Sequence, residues 1–340
     1  MAVLSTVHPT LIDIAKRSDN NGKVTSIVEL LNATNEILDD MVWKEGNLPT
    51  GHRTTVRTGI PTPTWRKLYG GVQPTKSTTA QVTDNCGMLE MYAEVDKALA
   101  DLNGNTAAFR LSEDMAFLEG LNQEVAQTLF YGNEGTEPEA FTGLSPRFNS
   151  LSAANAENII VGGGAGSDNG SIWLVVWGDN TCHGIIPKGS TAGIQVKDLG
   201  EVTIENVDGS NGRMQAYRTH YRWDVGLTVR DWRYIVRIPN IDKSNLSAVF
   251  NAGVFSGSSA NLPDLMFQAM RKVPNLGAGR PAFYMSRDMA SMLARQMAAM
   301  GLQNFTTANE AGGAMRWTES FKGIPIRRVD AISADEALVS

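Results

Sequence analysis

Long apolar runs are what this 340-residue chain most plainly lacks. The longest, Ile172 to Trp177, is six residues, where a helix crossing a bilayer needs ~18–20. A membrane-spanning helix is therefore excluded. Residues 1–20, MAVLSTVHPTLIDIAKRSDN, lack a basic head followed by an apolar stretch, so no secretory signal is expected. Cysteine is nearly absent. Cys86 and Cys182 cannot make a disulfide framework, and two free thiols in a reducing cytosol are the expectation. The sequons at Asn32 and Asn245 then carry no meaning, because glycosylation requires the secretory route. Glycine and proline together make about 14% of the chain, well under the ~25–30% of low-complexity sequence. With 42% hydrophobic and 19% charged residues the chain is no disordered polyelectrolyte. Its length suits two domains, or one large domain with excursions.

Catalytic signatures are missing too. The histidines are His8, His52, His183 and His220, and none stands at a metal-binding spacing from a partner. Cys182 and His183 are neighbours, so on a strand they point to opposite faces and cannot act together as nucleophile and base. No Gly-x-Ser-x-Gly elbow occurs. The run Gly162–Ser167 (GGGAGS) lacks the Lys-Ser/Thr of a phosphate loop and lies between two strands rather than before a helix. A flexible connector is expected there. Paired carboxylates such as Asp39-Asp40 and Glu113-Asp114 read as helix-end residues. The chain is expected to be no enzyme and to use no cofactor or metal.

What is present is an uneven charge. The net charge of −6 conceals a block, residues 46–83, with five cations (Arg53, Arg57, Arg66, Lys67, Lys76) and no acid. Residues 84–139 then carry twelve acids against two cations, Lys97 and Arg110. Abutting blocks of opposite sign read either as solvated faces or as the two halves of an intermolecular contact. The contact reading takes the five cations as one half and the acidic block, with Glu113, Asp114, Glu119 and Glu124, as the other.

The pattern predicts a helix over residues 25–43 and a second over 112–131. The second carries the stripe Phe117, Leu118, Leu121, Val125 and Leu129, with Ser112 as its cap and Gly132 as its stop. Between them, residues 46–87 are rich in Thr, Gly and Pro and read as a long two-stranded projection with a broad tip. Residues 157–240 read as strands, in the segments ENIIV, SIWLVVWG, CHGIIPK, AGIQV, EVTIENV, RMQAYRTHYRW and VGLTVRDWRYIVRI. Turns are expected at Asp208-Gly209 and Asn211-Gly212. Residues 244–300 read as helical, interrupted by Pro263 and by the loop 274–280. PAFYMS is a buried strand before RDMASMLARQMAAM, and residues 321–332 are a last strand. Over 213–237 six arginines alternate with Tyr and Trp; core aromatics with outward arginines suit that spacing better than a base-stacking platform.

These blocks, in this order, resemble a known family. The basic β-projection precedes FRLSEDMAFLEGLNQEVAQTLFYGN and the turn Phe141-Thr142-Gly143-Leu144. There follow WLVVWG, HGIIPKGSTAG and VGLTVRDWRYIVRIPNID, then GRPAFYMSRDMASMLARQM and FKGIPIRRVDAI. Over about residues 50–335 this is similar to the major capsid proteins of short-tailed bacteriophages of the epsilon-fifteen type. The resemblance implies an α+β chain with the Hong Kong 97 capsid fold. It implies an N-terminal arm (1–50), an extended loop (51–87), and a peripheral domain (88–240) with a spine helix at 109–132. An axial domain (241–320) and a C-terminal return strand (321–340) would follow. It further implies pentamers and hexamers closing into an icosahedral shell around double-stranded DNA. The partners would be a portal, a separate scaffolding protein and, in some members, a cement protein, with no membrane; the protein would reside in the virion after assembly in the host cytoplasm. The fold's prototype cross-links a Lys to an Asn between subunits; Lys67 and Lys76 lie on the projection, with no partner Asn singled out. Two alternatives stand beside this reading: an encapsulin-like nanocompartment shell, and a soluble nucleic-acid-binding protein using the strands of 213–237.

Overall fold

The computed structural model describes residues 35–102, 106–205, 212–257, 259–301, 319–333 and 335–340. His8, most of the expected arm, the first part of the helix expected over 25–43, and the turn at Asp208-Gly209 lie outside them.

Eleven strands among the described residues join in one mixed sheet. They are β1 (Trp43–Glu45), β2 (Gly51–Gly59), β3 (Thr78–Asp96), β4 (Asn169–Trp177), β5 (Cys182–Ile186), β6 (Gln195–Glu205), β7 (Arg213–Val229) and β8 (Ile235–Asp242), followed, after the separate small hairpin β9 (Phe250–Asn251) and β10 (Val254–Phe255), by β11 (Arg280–Met285), β12 (Ser320–Phe321) and β13 (Ile324–Arg328). The order is β12-β13-β11-β4-β5-β7-β3-β2, with β1 beside β5, β6 beside β7 and β8 beside β4. Three helices cover it: α1 (Thr106–Tyr131), α2 (Leu262–Lys272) and α3 (Arg287–Ala299).

The short apolar run is the centre of the molecule. On β4, Trp173, Val175 and Trp177 face α1 and pack with Val125, Leu129 and Phe130. Ile172, Leu174 and Val176 face the other way and pack with Met266 of α2 and with Met289, Leu293 and Met297 of α3. A strand buried on both faces must be apolar without alternation. Beside this strand, the ion pair of the described residues that is buried on both sides is fully satisfied. Arg237 meets Glu336 at 2.8 Å, with both side chains 3% exposed. The guanidinium also donates to the carbonyl of Phe148 and lies 5.0 Å over the Trp173 ring. Glu336 accepts from the hydroxyls of Tyr131 and Ser171, which completes its shell.

Several local expectations change. Among its described residues the helix expected over 25–43 is helical over Ile37–Asp40, and Trp43 then enters β1 parallel to β5. Its ring occupies space that a side chain at Gly184 would need. α1 starts at Thr106, six residues before Ser112, so Ser112 is no cap; its hydroxyl donates to the carbonyl of Phe109. Phe109, buried against Val95, Leu99 and Ala100, extends the helix by tertiary packing. ENIIV is not a strand: a 3₁₀ turn covers Ala156–Asn158 and Ile159 makes a single bridge to Arg237. AGIQV and EVTIENV merge into β6, which bulges between Asp198 and Gly200. A 3₁₀ turn at Trp232–Tyr234 separates β7 from β8. Residues 250–255 form a hairpin rather than a helix, with Ala252 and Gly253 at positive φ. Pro263 opens α2 instead of interrupting it, as proline does where the N–H has no helical partner. The glycine run lies along β8: Gly162 and Gly164 donate to the carbonyls of Pro239 and Asn240, and their Cβ atoms would strike that backbone. The last strand is the hairpin β12–β13, which ends at Arg328.

Candidate subunit-contact surface

β2 and β3 form the expected projection, paired antiparallel from Gly51↔Asn85 to Gly59↔Thr78. Thr and Val make four of the nine residues of β2 and four of the first six of β3, and such β-branched residues favour extended backbone. β3 does not stop at the foot. It runs on to Asp96 beside β7, so one continuous strand ties the projection to the body.

The foot is tightly built. Gly51 must lack a side chain, because a Cβ there would lie 2.1 Å from the carbonyl oxygen of Asp84. Asp84 is buried and takes its charge partner from Arg147, 2.8 Å away, and a hydrogen bond from the Thr228 hydroxyl. Asn47 accepts from the backbone N–H of Arg53 at 2.7 Å and donates to its carbonyl at 2.8 Å. His52 on β2 meets His183 on β5 edge-to-face, with ring centroids 5.9 Å apart. Burial, aided by His52 and Arg230, pushes the His183 pKa down to about 4. Burial and then Arg230 lower His52 as well. Both rings are therefore neutral at pH 7 and pack as a pair rather than repel.

The tip is the opposite. Within it the Arg66 Nε–H donates to the carbonyl of Gly70 and the Gly70 N–H to that of Lys67, closing a turn in which Tyr69 takes a left-handed φ of 59°. That turn displays its side chains outward: Trp65 and Tyr69 are each 101% exposed and Leu68 is 90% exposed. Ile60 and Val72 are exposed beside them. Arg53, Arg57, Arg66, Lys67 and Lys76 are all exposed, and among the described residues none enters an ion pair. The structure thus gathers the five cations on one arm.

The four carboxylates all lie on α1, but differently. Asp114 accepts from the Tyr221 hydroxyl, whose pKa rises through burial and this bond. Glu119 accepts from Gln123 at 2.7 Å. Glu113 is half-buried and Glu124 is exposed. The stripe beneath them is a core as expected, with Leu121, Val125 and Leu129 buried and Phe117 stacked near Tyr221. Charge pattern alone found the cations. It missed the apolar tip, whose signal was five large apolar residues crowded into 60–72 with no helical or strand period.

The arginines of 213–237 are occupied within the chain. Arg213 pairs with Glu205, Arg218 with Glu94, Arg222 with Asp224, Arg233 with Asp231 and Arg237 with Glu336. Arg230 donates to the carbonyl of Asp179. Tyr221 is buried. A stacking platform for nucleic acid needs open rings beside unspent cations; here the arginines are engaged within the chain, and Tyr217, Trp223, Trp232 and Tyr234 are half-buried rather than exposed.

A family model described as "Major capsid protein GP7" matches residues 19–340. The chain belongs to that family. This major capsid protein is similar to the capsid chain in the near-atomic structure of bacteriophage Epsilon15, at 41% identity, with 100% of each chain covered and a TM-score of 0.74. A more distant likeness is to the bacteriophage JBD30 capsid, at 11% identity, covering 96% of this chain and 99% of that one, with a TM-score of 0.46. Comparison with curated proteins returned no match. The α+β chain with the Hong Kong 97 type of capsid fold, expected from the order of the blocks, is what the sheet and spine helix compose. The major capsid protein is a structural component of the virion shell of a tailed bacteriophage. No helix among its described residues is long and apolar enough to cross a membrane.

Proposed function

We propose that this major capsid protein assembles as pentamers and hexamers into an icosahedral shell around double-stranded DNA. It would have no catalytic turnover, and it would work with a portal, a separate scaffolding protein and, in some assemblies, a cement protein. Residues 1–50 act as an arm, 51–87 as the extended loop, 88–240 as the peripheral domain, 241–320 as the axial domain, and 321–340 as the return strand.

One observation carries the assembly reading: an arm with five cations that enter no ion pair among the described residues stands away from a body whose spine-helix region is acidic. Residues 111–146 hold seven acids and no Lys, Arg or His. The projection lies over the spine helix of the next copy, setting Arg53, Arg57, Arg66, Lys67 and Lys76 near Glu113, Asp114, Glu119 and Glu124. Each exposed pair contributes only ~0.2–1 kcal/mol and is screened by salt. Repetition at every copy, and the penalty for facing like charges, turn these small terms into register. The test is Arg57→Glu with Lys67→Glu. Empty shells should fail to form, and reversing the helix acids to Lys should partly restore them. Should empty shells form normally and only DNA filling suffer, the cations serve the genome, whose phosphates attract them equally well.

A further inference from the structure

An arm held out by charge alone would not need a Trp, a Leu and a Tyr standing fully in water at its end. Monomeric surfaces rarely gather large exposed apolar side chains in one place, and where they do the patch marks a contact. Trp65 also sits directly before Arg66 and Lys67, so the tip is an apolar anchor flanked by two cations.

The body carries a hollow of matching character. A cavity of about 150 Å³ opens between α1 and β3, with Leu89, Val125, Phe141 and Val225 on its apolar walls and the carboxylates of Glu124 and Glu139 at its rim. An enclosed apolar cavity of this volume holds a benzene-sized ring, so this open hollow suits the six-membered ring of an indole with the rest of the side chain at its mouth. Another hollow beside Phe267 and Phe321, about 270 Å³, is rimmed by Asp264 and Lys322, one charge of each sign, and so does not complement a purely cationic tip.

The chain's own tip cannot fill its own cavity. The cavity lies at the foot of the projection, where β3 passes Leu89. The ladder from Gly51 to Gly59 holds the tip away from it over nine residues, about 30 Å at ~3.3 Å each. A projection tip that fills this cavity therefore belongs to another copy of the chain.

We infer that the tip of the projection docks Trp65 into the Leu89–Val125–Phe141–Val225 cavity of a second copy of this chain, with Arg66 and Lys67 meeting the rim carboxylates Glu124 and Glu139. This rests on the reading of the projection as a contact between copies and deepens it. It makes an apolar anchor the source of affinity and leaves register to the charges. Buried aromatic anchors dominate interfaces, and removing one commonly weakens a contact by roughly 30-fold or more.

The experiment uses full-length protein assembled into shells, in a Cys86→Ser background so that no native half-exposed thiol competes. Under mild oxidation, Leu68→Cys with Glu139→Cys should give covalent ladders of subunits. Leu68→Cys with Glu113→Cys, at the far half of the spine helix, should not. Trp65→Ala should raise the concentration needed for assembly by roughly 30-fold, Trp65→Phe should largely restore it, and the melting of the unassembled subunit should stay unchanged. Cross-links through Glu113→Cys alone would overturn the cavity while leaving the projection as a contact. Shells that form normally with Trp65→Ala and cross-link through neither pair would overturn both.

Discussion

The β4-centred body and the β2–β3 projection solve opposite problems with the same chain. In the body, each of Ile172 to Trp177 is fully buried, and even the ion pair Arg237–Glu336 has its hydrogen bonds completed inside the fold. On the projection the strands bury almost nothing beyond Thr54 and Asp84 at the foot, while Trp65, Leu68 and Tyr69 stand in water. An isolated two-stranded hairpin is marginal in water. This one persists because β3 continues into the sheet and because His52, Asn47 and Asp84 fasten its base. The difference shows where each part draws its stability: the body from its own core, the projection from the foot that fastens it to the sheet.

The comparison can be broken most forcefully in the body. Glu336→Ala leaves the Arg237 guanidinium charged, buried and without its carboxylate, and removes the acceptor of the Tyr131 and Ser171 hydroxyls. Such a loss costs about 3–5 kcal/mol. Denaturant unfolding of the subunit should show it, and an unchanged midpoint would mean that the charge escapes to water. Next comes Leu121→Ala, which opens a cavity between α1 and the Ala93 and Tyr221 surface and should cost ~2–5 kcal/mol. Unchanged subunit melting would mean that the stripe is not a core.

The foot of the projection joins the two regions and should be sensitive to acid. His183 titrates at about 4 in the fold against an ordinary 6.5. Between those values the unfolded chain binds a proton that the folded chain refuses. Stability is therefore full above pH ~6.5, falls as the pH drops towards 4, and levels off below; the size is roughly 3 kcal/mol for this one group. His52 shifts the same way. The difference between the wild type and His183→Gln, measured by melting from pH 8 to 4, should reproduce that slope. Parallel curves would show that the histidine pair is not the cause. Smallest of all is the effect of the tip on the subunit alone. Trp65→Ala and Lys67→Glu should each change unassembled subunit stability by less than ~0.5 kcal/mol, as exposed positions do. A larger loss would mean that the tip packs on its own body.

Much of this was legible in residue order. The amphipathic stripe of α1 was read correctly from its period, while its start was missed by six residues because Phe109 is held by Val95, Leu99 and Ala100, which only the fold brings near. The cationic arm was legible as charge. The apolar hollow was not, since Leu89, Val125, Phe141 and Val225 come from four separated segments. The glycine run read as flexible because glycine permits many conformations; the β8 backbone, lying against it, selects one.

By itself the sequence determined the segments: a six-residue apolar strand too short to span a bilayer, a helix with one apolar face, a Thr-rich arm free of acid, and a block order resembling that of a capsid protein. Those are properties of period, propensity and charge, which act over a few residues. Tertiary structure alone decided that Arg218 and Arg237 are spent on Glu94 and Glu336 of distant segments, that His52 and His183 meet, and that Trp65 stands exposed. Each of these depends on which distant segments share a neighbourhood, and sheet pairing fixes that only when the whole chain has closed around β4.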